Sequence, residues 1–230
     1  MGLRGGLLLT SALLLGCGGN PDERPELYEL AEAASFETTT LLGPHMLIGE
    51  LERRRPNPEE GGEELVTSDS LEIAWADWDN FLSTRSRDGR TVAQTRVIDG
   101  AAFIRRSAGR FRRASDSELH RVELRHGWNF WGAALEPFAG AIAVKGGEES
   151  QWEGRPVEVF EVVHREGAVD GVSLSGKVAV DVATSVRLFG ELRGSYLENG
   201  SPVELRMEFR RVDIGRRPVI ERPPTVTATP

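Results

Sequence analysis

The feature that most constrains the fold of this chain is a two-residue alternation of apolar and charged side chains near its C-terminal end. Glutamate and arginine alternate there with the apolar residues Val203, Leu205, Met207 and Phe209. Residues 178–182 and 186–196 have the same period. Because successive side chains of a strand point to opposite faces of the sheet, this pattern predicts strands with one apolar and one solvated face. Such strands are typical of antiparallel sheets.

The alternation changes phase at the end of this run. Val212 and Ile214 are apolar at even-numbered positions, whereas the preceding apolar positions are odd-numbered. A β-bulge inserts one extra residue into a strand and so reverses the phase. We therefore predict a bulge near Arg210 and Arg211.

Weaker period-two segments earlier in the chain predict further strands of the same sheet. They are residues 47–51, 71–75, 81–87, 91–98, 102–106 and 157–163. Residue pairs that tolerate a left-handed backbone, and therefore suit tight hairpins, lie between strands at Asp88-Gly89, Asp99-Gly100, Asp170-Gly171 and Asn199-Gly200. The predicted fold is mainly β (α+β), an antiparallel meander of about nine to eleven strands.

Two helices are predicted outside the meander. The first begins near Pro25 and carries an apolar stripe made of Leu27, Leu30, Ala31 and Ala34. The second is an insertion that follows a capping box at residues 115–118 and has apolar residues at helical spacing as far as position 135. Pro137 is expected to end this helix, and residues 138–144 are predicted to form a second short helix.

Two segments are expected to lie outside the sheet. Residues 53–64 form a charged stretch of arginine, proline, glycine and glutamate without a large apolar side chain. Residues 216–230 contain four prolines and three threonines, a composition that predicts an extended tail.

The N-terminal residues have the organisation of an export signal. Residues 1–16 combine Arg4 with a short apolar core, which is too short to cross a hydrocarbon layer of ~30 Å as a stable helix. The sequence Leu14-Leu15-Gly16-Cys17 at its end resembles the lipobox of bacterial lipoproteins. An ordinary secretory signal with a coincidental cysteine is the alternative.

The lipobox resemblance implies that residues 1–16 are removed and that Cys17 becomes the acylated first residue of the mature protein. Two or three acyl chains anchor a protein stably, whereas a single chain binds a membrane only marginally. Residues 17–25 would then be a lipidated linker. Gly18, in place of an aspartate, favours the outer membrane, with the protein facing the periplasm.

The composition excludes several classes of protein. The chain has 39% hydrophobic and 28% charged residues, a formal net charge of −8 and one cysteine. One cysteine cannot form an intrachain disulfide framework, and the hydrophobic fraction is too low for a polytopic membrane protein. An acidic chain needs a strong local basic patch to bind nucleic acid, so we expect no nucleic-acid partner.

The sequence contains no convergent catalytic set. The four histidines are scattered, and His120 and His126 would point to different faces of a helix. Residues 171–176 lack the glycine spacing of a nucleophile elbow. We therefore expect a protein that is not an enzyme and that uses neither a metal nor a cofactor.

This plan, an exported chain with an initial helix and an antiparallel meander interrupted by a helical insertion, resembles the superfamily of the bacterial lipoprotein localisation factors LolA and LolB. The resemblance covers residues 26–215, followed by the tail at 216–230. It implies a sheet curved into an open half-barrel, with helices over its concave face and acyl chains or other apolar ligands bound between them. The receptor of this superfamily passes cargo through an exposed apolar loop, which residues 53–64 do not provide.

If the resemblance holds, an apolar ligand lies between the sheet and the insertion helix. The candidate lining residues are Trp75, Phe81, Trp128, Trp131, Leu188, Leu192, Leu205, Met207 and Phe209. The predicted function is a membrane-anchored envelope lipoprotein that binds a lipid without catalysis. The alternative is an envelope assembly or interaction protein with a filled core and no ligand. An empty apolar cavity above ~300 Å³ would favour the first function.

Overall fold

A computed structural model describes residues 41–56, 64–115, 118, 134, 136–138, 142–164, 171–223 and 226–227. The predicted signal sequence, Cys17, the N-terminal helix and most of the helical insertion lie outside the described residues. Trp128 and Trp131 also lie outside them.

The described residues form mainly β-structure. The strands are β1 (His45–Pro56), β2 (Glu64–Asp77), β3 (Asn80–Arg87), β4 (Arg90–Ile98), β5 (Ala101–Arg106), β6 (Phe111–Arg113), β7 (Ile142–Trp152), β8 (Arg155–His164), β9 (Ser173–Asp181), β10 (Arg187–Glu198), β11 (Ser201–Val212) and β12 (Val226–Thr227). Glu136–Phe138 forms a 3-10 helix between β6 and β7.

All twelve strands belong to one open sheet with the order β12-β6-β5-β4-β3-β2-β1-β11-β10-β9-β8-β7. Every neighbouring pair is antiparallel except β12, which pairs parallel to β6. The predicted antiparallel pairing of consecutive strands is confirmed within β1–β6 and within β7–β11. The two runs are not one continuous meander, because they join through β1 and β11, and β6 and β7 lie toward opposite edges of the sheet. The sequence missed β6, β7 and β12 because these strands are short or lack the two-residue alternation.

Three of the predicted hairpin turns have the expected backbone. The residue before glycine has a positive φ angle in each: Asp88 (49°), Asp99 (50°) and Asn199 (52°). Aspartate and asparagine tolerate this left-handed conformation, which two-residue hairpins with type I′ turns require. Asp170 of the fourth pair lies outside the described residues.

Two predicted boundaries are wrong. Ile142, Ala143 and Val144 belong to β7 rather than to a second short helix, because they pair with the last three residues of β8. Residues 53–56 belong to β1 rather than to a loop, because they pair with the first residues of β2. In both cases ladder hydrogen bonds to a distant segment decide the conformation, and local composition does not report them.

The predicted bulge in β11 is also wrong. Pairing between β1 and β11 continues without a shift from Arg54–Glu204 to Met46–Val212. The bulge instead lies in β10, between Arg187 and Phe189. Arg211 therefore keeps the phase of Phe209 and is buried, with 3% of its surface exposed.

The sheet has a main apolar core on one face, here called the inner face. Its members include Leu47, Leu71, Trp75, Met207 and Phe209. A second, smaller cluster consists of Leu42, Val157, Ala179, Val186 and Leu188. Ala179 follows Val178 of the main core on β9, so strand alternation places the second cluster on the outer face.

The two ends of the strands differ. At the end where β1 begins and β11 finishes, here called the closed end, the segment that follows β11 crosses neighbouring strands. This segment, residues 213–223, is here called the strap. Its Ile220 packs against the main core, and Arg96 of β4 donates a hydrogen bond of 2.8 Å to the carbonyl of Glu221. The described residues of the predicted tail, 216–223 and 226–227, therefore contact the sheet: the strap packs on the body, and Val226–Thr227 joins the sheet.

Candidate functional site

Six of the nine predicted lining residues lie together in the main core. They are Trp75, Phe81, Leu192, Leu205, Met207 and Phe209. Leu188 belongs instead to the second cluster, since the bulge in β10 changes the phase beside it. Each of the six has 7% or less of its surface exposed, so other side chains already cover them.

Phe138 covers part of this apolar surface and comes from the insertion rather than from the sheet. Its side chain is 0% exposed, and its ring meets Tyr196 edge to face at 5.6 Å between centroids. A Cβ atom at Gly194 would lie 2.7 Å from the Phe138 ring, so only glycine leaves room for the ring against β10. Phe138 thus occupies an apolar position that the sheet leaves open.

Gly190 provides a similar space four residues earlier in β10, on the same face of the strand. A Cβ atom there would lie 2.3 Å from the ring of Phe209. In the sequence, the corresponding signal is that Gly190 and Gly194 alternate with apolar residues on the same face of β10. Phe209 lies directly opposite Gly190 across the β10–β11 hairpin, whereas the sequence did not show that Phe138 would fill the gap at Gly194, because Phe138 is remote from β10 in sequence.

The opposite end of the sheet, where β1 finishes and β2 begins, is here called the mouth. A cavity of about 560 Å³ lies there. It is lined by Arg53, Arg55, Thr67, Asp69, Arg87, Pro137, Tyr196, Glu198 and Val203. None of the seven predicted lining residues that the structure describes borders this mouth cavity. Charged groups and the residue before Phe138 border it instead.

The carboxylate of Asp69 organises the charges of the mouth. Its side chain is 3% exposed, and Arg87 donates two hydrogen bonds to it, at 2.9 and 3.2 Å. Arg85 and Arg53 approach the same carboxylate at 3.6 and 3.7 Å. Hydrogen bonding to Asp69 raises the pKa of Arg87 above its ordinary value. A single buried carboxylate is therefore shared by three guanidinium groups.

The closed end contains a second polar group, formed by His45 and Arg211. His45 is 0% exposed, its Nδ1 lies 2.8 Å from the carbonyl oxygen of Gly43, and its Nε2 has no partner. Burial, with the nearby charge of Arg211, lowers the pKa of His45 to about 4.

Arg211 is a buried cation without a carboxylate partner among the described residues. Its Nη1 donates to the carbonyl of Arg187, and its Nε is unpaired. Burial lowers its pKa to about 9. The backbone carbonyl of Arg211 accepts a hydrogen bond of 2.7 Å from the indole of Trp152.

The described part of the chain holds no group of three or more His, Cys, Asp or Glu side chains that could bind a metal ion. Among the same residues, no helix has the length and hydrophobicity needed to cross a bilayer. What the described groups offer chemically is a cationic cavity next to an apolar face.

No protein-family model matches the chain, and no curated protein matches it. A LolA superfamily protein from Nitrosomonas europaea is 11% identical, with 84% of this chain and 94% of that chain covered and a TM-score of 0.27. An outer membrane lipoprotein-sorting protein domain from Vibrio parahaemolyticus is 15% identical, with 81% and 92% covered and a TM-score of 0.27. The MucA/MucB complex of Pseudomonas aeruginosa matches at 15% identity, with 85% and 56% covered and a TM-score of 0.30. At these values the similarity assigns no function to this chain.

Proposed function

We propose that this chain is a non-catalytic envelope lipoprotein, anchored through acylated Cys17, that binds a lipid or another apolar ligand on the inner face of its sheet. The observation that carries the proposal is the position of Phe138. Its ring is completely buried against the sheet at Gly194, yet it belongs to the segment that connects the insertion to β7. An apolar chain that takes the place of Phe138 would contact the same surface.

The energies of the two occupants are comparable. Full burial of a phenylalanine side chain is worth roughly 1.5–3 kcal/mol, and each buried CH₂ group of an acyl chain is worth ~0.8 kcal/mol. About four methylene groups therefore offset the loss of Phe138 from its site, and a longer chain gains free energy. In this proposal, the segment around Pro137 and Phe138 moves away from the sheet when the ligand enters.

The proposed location follows from the N-terminal sequence. Cys17 directly after a short apolar core supports lipid anchoring, and Gly18 supports an outer-membrane site facing the periplasm. The proposed partners are the membrane, a lipid or acyl-chain ligand, and other envelope proteins.

Native mass spectrometry with lipid extraction of the protein purified from membranes tests this proposal, together with titration of a fluorescent fatty acid. We expect Phe138→Ala to bind the fatty acid roughly tenfold more tightly or better, because its own side chain no longer competes for the site. Phe189→Ala is the matched control, since Phe189 packs on the second cluster and stacks on Trp152. Absence of lipid from the purified protein, with no fatty-acid binding by either variant, would overturn the proposal.

A second candidate function rests on a different observation. The six predicted lining residues of the main core are already covered, so an envelope interaction protein with a filled core fits the same face. This alternative predicts that Phe138→Ala only lowers stability and creates no fatty-acid site. Binding measured together with the unfolding free energy of that variant therefore separates the two functions.

A further inference from the structure

We infer that the mouth cavity binds the phosphate headgroup of an amphiphilic ligand, whose apolar tail lies on the inner face. Only the placement of the ligand's apolar tail on the inner face rests on the proposed function. The headgroup site is argued separately, from the charges, hydrogen bonds and position of the mouth.

The mouth has an excess of positive charge that its own carboxylates do not neutralise. Arg53, Arg55 and Arg87 line the cavity, and Arg85 contacts the carboxylate that two of them share. The described acidic residues of the same wall are Asp69 and Glu198. Among the described residues that line the cavity, three guanidinium groups therefore face two carboxylates, although the chain as a whole has a net charge of −8.

Arg53 is the guanidinium group that is available to a ligand. Among the described residues, the structure gives Arg53 no hydrogen bond, and its contact with an acidic group is the 3.7 Å approach to Asp69. The Asp69 carboxylate already accepts two hydrogen bonds from Arg87, which hold it in place. Arg53 is 31% exposed and borders the cavity, so its donors can reach a bound group.

The chemistry of the lining favours a phosphate over a carboxylate. A phosphate monoester carries about −1.5 to −2 charge near pH 7, more than a carboxylate, so it interacts more strongly with a lining of net positive charge. Arginine donates to phosphate oxygens in a bidentate geometry. Thr67 and Tyr196 also border the cavity and bring hydroxyl groups to the same wall. A volume of about 560 Å³ accommodates a headgroup and the first carbons of its chain.

The cavity meets the apolar face at the point that the proposed function requires. Pro137, Tyr196 and Val203 form its apolar wall. Pro137 precedes Phe138 in the chain, and the ring of Tyr196 contacts the ring of Phe138. A headgroup held by Arg53 would therefore place its tail beside the position that Phe138 occupies.

The surrounding rim favours the approach of an anion. Around the β3–β4 and β5–β6 turns, residues 88–90 and 106–110 contain three arginines and one aspartate. Arg90, Arg106 and Arg110 lie at strand ends or turns on the same end of the sheet as the mouth and are exposed. A local field of one sign raises the concentration and the association rate of oppositely charged ligands.

Isothermal titration calorimetry of the full chain with octyl phosphate, 1-octanol and inorganic phosphate tests this inference. We expect octyl phosphate to bind at least about tenfold more tightly than 1-octanol at low salt. Arg53→Gln should abolish that difference and leave 1-octanol binding unchanged. Arg54→Gln is the matched control, because Arg54 is the next residue of β1, points to the outer face and pairs with Glu52 at 2.6 Å. This control should keep the difference.

The outcomes separate the headgroup site from the apolar site. Equal binding of octyl phosphate and 1-octanol would overturn the headgroup inference and leave the proposed function standing. An equal loss of preference in Arg53→Gln and Arg54→Gln would also overturn it, because general charge would then explain the effect. Inorganic phosphate that binds through Arg53, without any 1-octanol binding, would support the anion site and contradict the proposed apolar site.

Discussion

Asp69 lies directly opposite Arg87 in the β2–β3 ladder, and the two side chains form a bidentate ion pair at the mouth of the sheet. The carboxylate is buried and the guanidinium is half exposed. This pairing explains how several arginines can share one end of the sheet. Without Asp69, the neighbouring guanidinium groups would face one another with no charge between them.

Asp69→Asn should therefore destabilise the protein. The substitution removes the buried carboxylate and leaves its arginine partners without their shared counter-charge, so we expect a loss of roughly 2 kcal/mol in the free energy of unfolding. Urea denaturation measures this loss. Asp213→Asn is the control, because Asp213 forms an exposed ion pair with Arg216, and such pairs contribute little. Equal effects of the two substitutions would contradict the role assigned to Asp69.

The buried His45 should make the protein less stable in mild acid. Its pKa is about 4 in the folded state, against 6.5 for the free side chain, so the unfolded chain binds the proton first. The stability contribution is fully present above pH 6.5 and is lost as the pH falls toward 4, by up to about 3 kcal/mol. Unfolding measured between pH 7.5 and 4 should show this slope, and His45→Leu should flatten it. His164→Leu, at an exposed position, should leave the slope in place.

Arg211 should lower stability at neutral pH, because its charge is buried without a carboxylate. Replacing a buried charge with an apolar side chain of similar length commonly stabilises a protein, so we expect Arg211→Met to gain about 1–3 kcal/mol at pH 7. The folded-state pKa of about 9 is well below the ordinary value for arginine, so the unfolded chain retains the proton to higher pH. Wild-type stability should therefore rise with pH above 9, and Arg211→Met should lose that rise.

Arg210→Met is the matched control for Arg211→Met. Arg210 is adjacent in β11 but exposed on the outer face. Its substitution should change stability by about 0.5 kcal/mol or less. A loss of stability in Arg211→Met would show that the hydrogen bond to the Arg187 carbonyl outweighs the cost of burying the charge.

The strap should contribute to stability through Ile220. Ile220 packs against the main core, whereas its neighbour Val219 is 89% exposed. We expect Ile220→Ala to cost about 1–2 kcal/mol and Val219→Ala to cost almost nothing. Thermal unfolding of the two variants measures the difference. Identical melting temperatures would mean that the strap does not hold the closed end together.

The strands were predictable from the sequence because their signals are local. The alternation from Val203 to Phe209 and the aspartate or asparagine before glycine in three turns act over a few residues, and the structure confirms both. The main core was largely predictable for the same reason. Alternate residues of a strand point to the same face of the sheet, wherever that strand lies within the sheet.

The candidate site was only partly predictable, because it depends on contacts between remote residues. Phe138 lies against Gly194. Arg53 of β1 approaches the carboxylate of Asp69 on β2, to which Arg87 of β3 donates hydrogen bonds. Neither contact has a periodic signature in the sequence. The sequence predicts residues 53–55 as part of a loop, because their strand partners lie beyond a charged stretch.

Local periodicity was therefore enough to specify a mainly antiparallel sheet, its hairpins and the identity of its apolar face. Tertiary pairing decided the location of the bulge, the burial of Arg211 and the packing of the strap on the body. The physical reason is that strand phase is set by adjacent residues, whereas register and burial are set by hydrogen bonds and packing between distant segments. Tertiary pairing also decided the cationic mouth, because the mouth exists only where the ends of several strands meet.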